Sequence, residues 1–198
     1  MLNSQLPIPE DNRILFFKRD REIFGFLSNY HEAPVTIDGE TWQSTEFYYQ
    51  AQKSLDVEYR DAIRQATSAN HAKGLGTDPN RSRKARKRSW FRDREDRIRP
   101  DWPQLKLRFM IRAVHAKFTQ NPDLQQKLLA TGDAQIVEDS THDRFWGIGR
   151  DGGGSNWMGR VLMQIRFEIL NSAPNPGEPL DVDRILELLQ SNSANGIT

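Results

Sequence analysis

The sequence predicts an α+β fold, a helix-rich single domain with a few short strands. Two runs, Leu105–Phe118 and Trp157–Ile169, repeat apolar residues at helical spacing. The strand candidates, by contrast, are short and widely separated, which argues against a large sheet. The 198 residues, 36% of them hydrophobic, suit one domain with a real core.

The elements follow in order. Residues 1–12 read as a loose leader. Ile14–Phe17 and Val35–Ile37 read as strands, with Asp38-Gly39 as a turn. A helix is expected from about Ser44 to Leu55, capped by Ser44 or Thr45, then shorter ones over Val57–Gln65 and Ala69–Leu75, with Gly74 and Gly76 as stop signals. Arg81–Arg99 holds ten basic and three acidic residues, a net of +7, and is expected to be an exposed loop or frayed helix. Pro103 suits the first turn of the clearest helix, whose apolar face carries Leu105, Phe109, Met110, Ala113, Val114 and Phe118. Pro122–Ala130 is a further helix, "AQIVED" a short strand, "FWGIGRDGGGSN" a glycine-rich loop and Asn156–Leu170 an amphipathic helix. The folded domain spans 13–170. Residues 171–198 hold a linker, "SAPNPGEP", and a short helix over Asp181–Gln190.

Composition excludes several classes. The net charge is +1, so no global field argues for nucleic acid or membrane. There is no cysteine, hence no thiolate nucleophile or cysteine metal site. The first residues lack the pattern of a signal peptide, and no apolar run approaches the roughly 20 residues of a membrane span. A soluble cytoplasmic protein is expected.

The G-x-G-x-x-G at Gly147–Gly152 lacks the strand–helix–strand context of a dinucleotide site. Its glycines could still bring N–H groups to a phosphate or ribose, or form a plain flexible loop. His31, His71, His115 and His142 do not pair at metal-ligand spacing, so no metal or other cofactor is expected. The basic stretch Arg81–Arg99 is a candidate nucleic-acid contact, with Trp90 and Phe91 as stacking surfaces; its bland reading is a solvated face.

"WQSTEFYYQAQK", from Trp42 to Lys53, carries more chemistry than a surface helix needs. Glu46, Gln50 and Lys53 fall on one face, with Tyr49 beside them. Dipole complementarity accounts for the two charges but not for the shared polar and aromatic stripe. A cleft for a sugar–base ligand accounts for both. Glu138 and Asp143, at the end of a strand and its following turn, would supply acid residues from a second segment, and Trp146 a further aromatic, as a glycosidic cleft needs.

Five motifs now carry a resemblance: "FGFLSNY", "APVTIDGETWQSTEFYYQAQK", "DW" with "AKFTQNPDLQQKLLATGD", "IVEDSTHDRFWGIG" and "GSNWMGRVLMQIR". In order and spacing they resemble the NADAR domain, especially its riboflavin-intermediate N-glycosidase branch, from about Phe24 to Leu170. The basic insert and the tail after Asn171 depart from the family pattern. The resemblance implies an intracellular, metal-free hydrolase of compact α+β build. It implies cleavage between ribose 5-phosphate and an aminopyrimidine made early in riboflavin synthesis, so the expected partner is a small phosphoribosyl compound. The alternatives are an ADP-ribosyl hydrolase acting on guanine in nucleic acid, or a non-catalytic module binding ADP-ribose or a nucleotide.

Glu46, Trp102, Glu138, Asp143 and Trp146 match the positions that the resemblance marks as functional; Asn29, Tyr30, Lys53, Asn156 and Gly159 also match its motifs. Glu46 is the first choice for a carboxylate near the anomeric carbon and Asp143 the second, with Glu138 orienting or contacting ribose hydroxyls. Trp102, Tyr49 or Trp146 would stack on the base, with Gln50 and Gly147 completing the binding set. Lys53 would allow a different route, through a Schiff base with the opened sugar. For the sugar phosphate the candidates are Arg150, Arg160, the loop glycines and arginines of the insert.

Overall fold

The computed structural model describes residues 6–17, 23–94, 98–171 and 180–194. The expected linker over 172–179, the first five residues and part of the basic insert lie outside these.

Two small sheets and the helices around them form two apolar clusters. Strand β1 (Arg13–Phe16) pairs in parallel with β4 (Gln135–Glu138), Phe16 opposite Glu138. Strands β2 (Val35–Ile37) and β3 (Glu40–Trp42) form a hairpin. Its two-residue turn is Asp38-Gly39, both at positive φ (54° and 79°), the left-handed pair that matches strand twist. Helices α1 (Thr45–Ala51), α2 (Val57–Arg64) and α3 (Ala69–Leu75) follow the hairpin. With it they bury Trp42, Tyr48, Tyr59 and Ile63 in one cluster. The other cluster gathers β1, β4, α6 (Pro122–Leu129), α7 (Trp157–Asn171) and α8 (Val182–Ala194).

Helix α5 (Trp102–Gln120) runs between the two clusters and is shared by them. Ala113 and Ala116 face the first; Met110, Ile111, Val114 and Phe118 face the second. Helix α1 and strand β2 pack on α5 from the first cluster, and α6, α7 and α8 from the second.

Three expectations need correction. The basic insert, expected as an exposed loop or frayed helix, is largely exposed where it is described but holds a capped helix. Ser82 caps a short helix, α4 (Arg83–Arg88), by accepting a hydrogen bond from Ala85 N at 3.0 Å. Phe91 is buried against Tyr59, ring centres 4.9 Å apart, and the Arg88 guanidinium folds back onto α3, donating to Asn70 O at 2.6 Å. The charges are exposed, but the segment is pinned by one phenylalanine. The leader is likewise not loose where it is described, since Leu6 and Ile8 pack against the core. Finally, Ser44 stands at the N-cap of α1 without a side-chain cap bond; the chain turns there instead through Glu46 N donating to Asn29 O at 3.2 Å. Helix α8 docks, burying Ile185, Leu186 and Leu189 in the core. No helix among the described residues is long and apolar enough to cross a membrane.

Candidate active site

A cleft of about 710 Å³ opens between α1, β4 and the start of α5. Its floor comes from α1, which is buried throughout, so the polar residues expected on one face are held inside the molecule rather than in water. Glu46 is 5% exposed and Gln50 2%. The Gln50 amide donates to Glu46 Oε1 at 2.8 Å, one turn apart. That bond fixes the amide, and Gln50 Oε1 is then left buried without a partner.

Lys53 lies just past the end of α1. Its Nζ donates to Gly76 O at 2.7 Å, and its carbonyl accepts from Arg99 N. Burial pulls the Lys53 amine down to about 8; Glu46 opposes that pull, while the charges of Lys73 and Arg81 add to it. Tyr49 crosses from α1 into the second cluster. Its ring meets Trp102 at 4.9 Å and Trp146 edge-on at 5.7 Å, which makes the aromatic wall. The Lys53 ammonium lies 5.8 Å from the Tyr49 ring centre and 5.7 Å from that of Trp102. Burial, aided by Glu46, pushes the phenols of Tyr30 and Tyr49 well above their ordinary range.

The opposite wall is the carboxyl end of β4. Burial pushes the Glu138 carboxyl up to about 7; the charge of Asp143 and, more weakly, that of Glu46 push the same way, and Lys73 opposes them. Glu138 Oε2 is buried with no hydrogen-bond partner. Asp143 Oδ1 accepts from Phe145 N at 2.9 Å and Trp146 N at 2.8 Å, so this carboxylate shapes the turn that presents Trp146.

Asn29, Tyr30, Glu46, Tyr49, Gln50, Lys53, Trp102, Glu138, Asp143 and Trp146 all line this cleft. Gly147, Asn156 and Gly159 do not; they build its wall from behind. The Asn156 amide donates to Ile136 O at 2.9 Å and its Oδ1 accepts from Glu138 N at 2.9 Å, clamping the end of β4 as a neighbouring strand would. A Cβ on Gly159 would collide with Ile136 O, so α7 reaches β4 only because that residue is glycine. A Cβ on Gly147 would stand 2.6 Å from Glu138 O.

The phosphate candidates also change. The amides of Gly149, Gly152 and Gly154 donate to Ser140 O, Gly149 O and Ile148 O, so the glycine loop spends these donors on its own turns. Trp157 and Met158 at the start of α7 donate to Phe145 O and Trp146 O. Arg150 and Arg160 do not line the cleft; Lys73, Arg81 and Arg99 do. Arg81 and Arg99 are the two ends of the insert. Lys73 sits in a short, ordinary-looking helix and carries no sequence signal.

A family model described as the NADAR domain matches residues 15–170. The chain belongs to the NADAR domain family. It is 35% identical to the N-glycosidase YbiA of Escherichia coli (strain K12) over 162 residues, 82% of this chain and 91% of that one. A riboflavin biosynthesis protein of Vibrio vulnificus is 37% identical over 160 residues, 81% of this chain but 40% of that longer protein. The NMR structure of the E. coli protein YbiA superposes with a TM-score of 0.67 at 34% identity, over 88% of this chain and 96% of that one. A protein of Nostoc punctiforme, 33% identical over 160 residues, also carries the name N-glycosidase, and these names support a hydrolase of N-glycosyl bonds. The NADAR match ends at residue 170, and α8 lies beyond it, packed on the core.

Proposed function

We propose that the chain hydrolyses the bond between ribose 5-phosphate and the amino nitrogen of an early riboflavin-pathway pyrimidine. One observation carries the reading: Glu46 and Glu138, from elements distant in sequence, enter one cleft with an aromatic wall and an amine. Water adds to C1 of the ribose, and the C1–N electron pair leaves with the nitrogen, which takes up a proton. Ribose 5-phosphate and an aminopyrimidine result.

As the bond breaks, positive charge builds on C1 and the ring oxygen. Glu46, held by Gln50, is the fixed carboxylate that offsets it. Glu138, raised to about 7, carries a proton part of the time at neutral pH and is the donor to the departing nitrogen. Tyr49, Trp102 and Trp146 form the surface on which the pyrimidine stacks. The relatives named for riboflavin biosynthesis support this choice of base.

A second route has its own support in the depressed Lys53 amine. The N-ribosylamine opens to an imine, Lys53 exchanges in, the aminopyrimidine leaves, and water releases the sugar. Borohydride separates the two: a reduced protein–sugar adduct, lost in Lys53→Ala, selects the lysine route, and turnover without adduct selects the carboxylate route. Incubation with phosphoribosylaminopyrimidines and, separately, with an ADP-ribosylated guanine oligonucleotide tests the substrate. Release of ribose 5-phosphate from the first is expected. Turnover of the oligonucleotide alone overturns the assignment, and melting shifts with ligand but no turnover of either would mark a binding module.

A further inference from the structure

We propose that Lys73 and Arg81, on the rim formed by α3 and the 3-10 turn Pro79–Arg81, bind the 5-phosphate of the sugar. This deepens the reading above and rests on it. Both side chains line the cleft. Both act on its reactive end: Lys73 lowers Glu138 and Lys53, and Arg81 lowers Lys53. Lys73 and Arg81 thus line the cleft on the side of Lys53 and Glu138. Arg99 lines the same rim, but its guanidinium is engaged by Asp101 through two bonds of 2.5 and 2.8 Å. Lys73 and Arg81 have no such carboxylate in any ion pair among the described residues. The nearest acid in sequence, Asp78, accepts from Asn80 N at 2.8 Å and caps its own turn.

Asp78 lines the cleft as well but makes no ion pair with either cation among the described residues; like charges on one rim repel, and the repulsion is relieved when an anion enters. A phosphate monoester supplies two negative charges and matches both an arginine fork and a lysine point charge. The cleft is then bipolar. Its acidic floor meets the cation that forms at C1, and its basic rim meets the phosphate at the other end of the same sugar. That arrangement orients the ribose before reaction. The other anion sources, the glycine loop and the first turn of α7, spend the donors named above on their own backbone. A pyrophosphate on ribose, as in ADP-ribose, shares this chemistry, and the test below distinguishes it from the monoester.

The test titrates the protein with ribose 5-phosphate, ribose and ADP-ribose, as wild type and as the Lys73→Ala/Arg81→Ala double variant. Both side chains are exposed, so the variant retains the fold, which its melting temperature checks. The wild type should bind ribose 5-phosphate at least about tenfold tighter than ribose, with a preference that weakens as salt is added. The variant should lose that preference while its affinity for ribose is unchanged. Equal affinity of variant and wild type for ribose 5-phosphate overturns the proposal, and so does a preference in the wild type for ADP-ribose over ribose 5-phosphate. The two readings fail differently. A wild type that prefers ribose 5-phosphate yet cleaves no phosphoribosylamine keeps the subsite and loses the reaction. One that cleaves phosphorylated and dephosphorylated substrate equally well keeps the reaction and loses the subsite.

Discussion

Two lysines in this molecule lose much of their basicity to burial, and their surroundings could hardly differ more. Lys53 stands at the cleft among Glu46, Lys73, Arg81 and two aromatic rings. Lys117 stands inside the core on α5, 1% exposed, donating to Ser28 O at 2.8 Å, and burial alone pulls it down to about 7. The deeper lysine is the more perturbed of the two, yet it has no opening to a ligand. A depressed amine therefore does not mark a site by itself. What separates Lys53 is the carboxylate beside it and the open volume in front of it.

The heaviest test of that contrast is Glu46→Gln. It removes the carboxylate but keeps a partner for Gln50, so melting should move by only a few degrees while kcat falls about 10²–10³-fold. Near-normal turnover would break the contrast at its centre. Lys53→Ala should cost about 10–100-fold in kcat/KM by loss of charge and contact in the cleft, read by the same assay. A change of less than about twofold would place Lys53 with Lys117 as a structural amine.

A pH profile sharpens the comparison next. With Glu138 as donor, kcat/KM should fall about tenfold per unit above about 7, as its proton is lost. With neutral Lys53 as nucleophile the same quantity should instead rise to a plateau above about 8.

The smallest effect belongs to Lys117→Met. The folded value of this lysine, about 7, lies below the ordinary 10.5. Between those values the unfolded chain holds a proton that the folded chain does not, so wild-type stability rises with pH from about 7 to 10.5. Below about 7 the full cost of burial is present. The variant should therefore be more stable by about 1–3 kcal/mol at pH 6, with the gain vanishing near pH 10.5. Its turnover should stay within about twofold, since Ser28 O still accepts from His31 N. Chemical denaturation at the two pH values measures both limbs.

Much of this architecture was readable in advance where local chemistry decides it. The periodicity of α5 and α7, the Asp38-Gly39 turn and the shared face of Glu46, Gln50 and Lys53 all depend on residues close in sequence. What was not readable depends on contacts between distant segments. Phe91, which in the basic stretch reads as an exposed stacking surface, is instead buried against Tyr59. Gly159 and Asn156 match the family motifs, but their part in bringing α7 against β4 leaves no periodic trace in the sequence. Lys73 was passed over because one lysine on a short helix looks like any other, and only the fold turns it toward Glu138.

Tyr49 meets both Trp102 and Trp146, two of the chain's five tryptophans, in the wall of the cleft. The indoles are thus an optical gauge already built into the molecule. Any ligand that settles against them will dim or shift their emission, so occupancy can be followed with ultraviolet light alone, without label or coupled enzyme. Trp42, buried in the other cluster, serves as the steady background against which that signal is read.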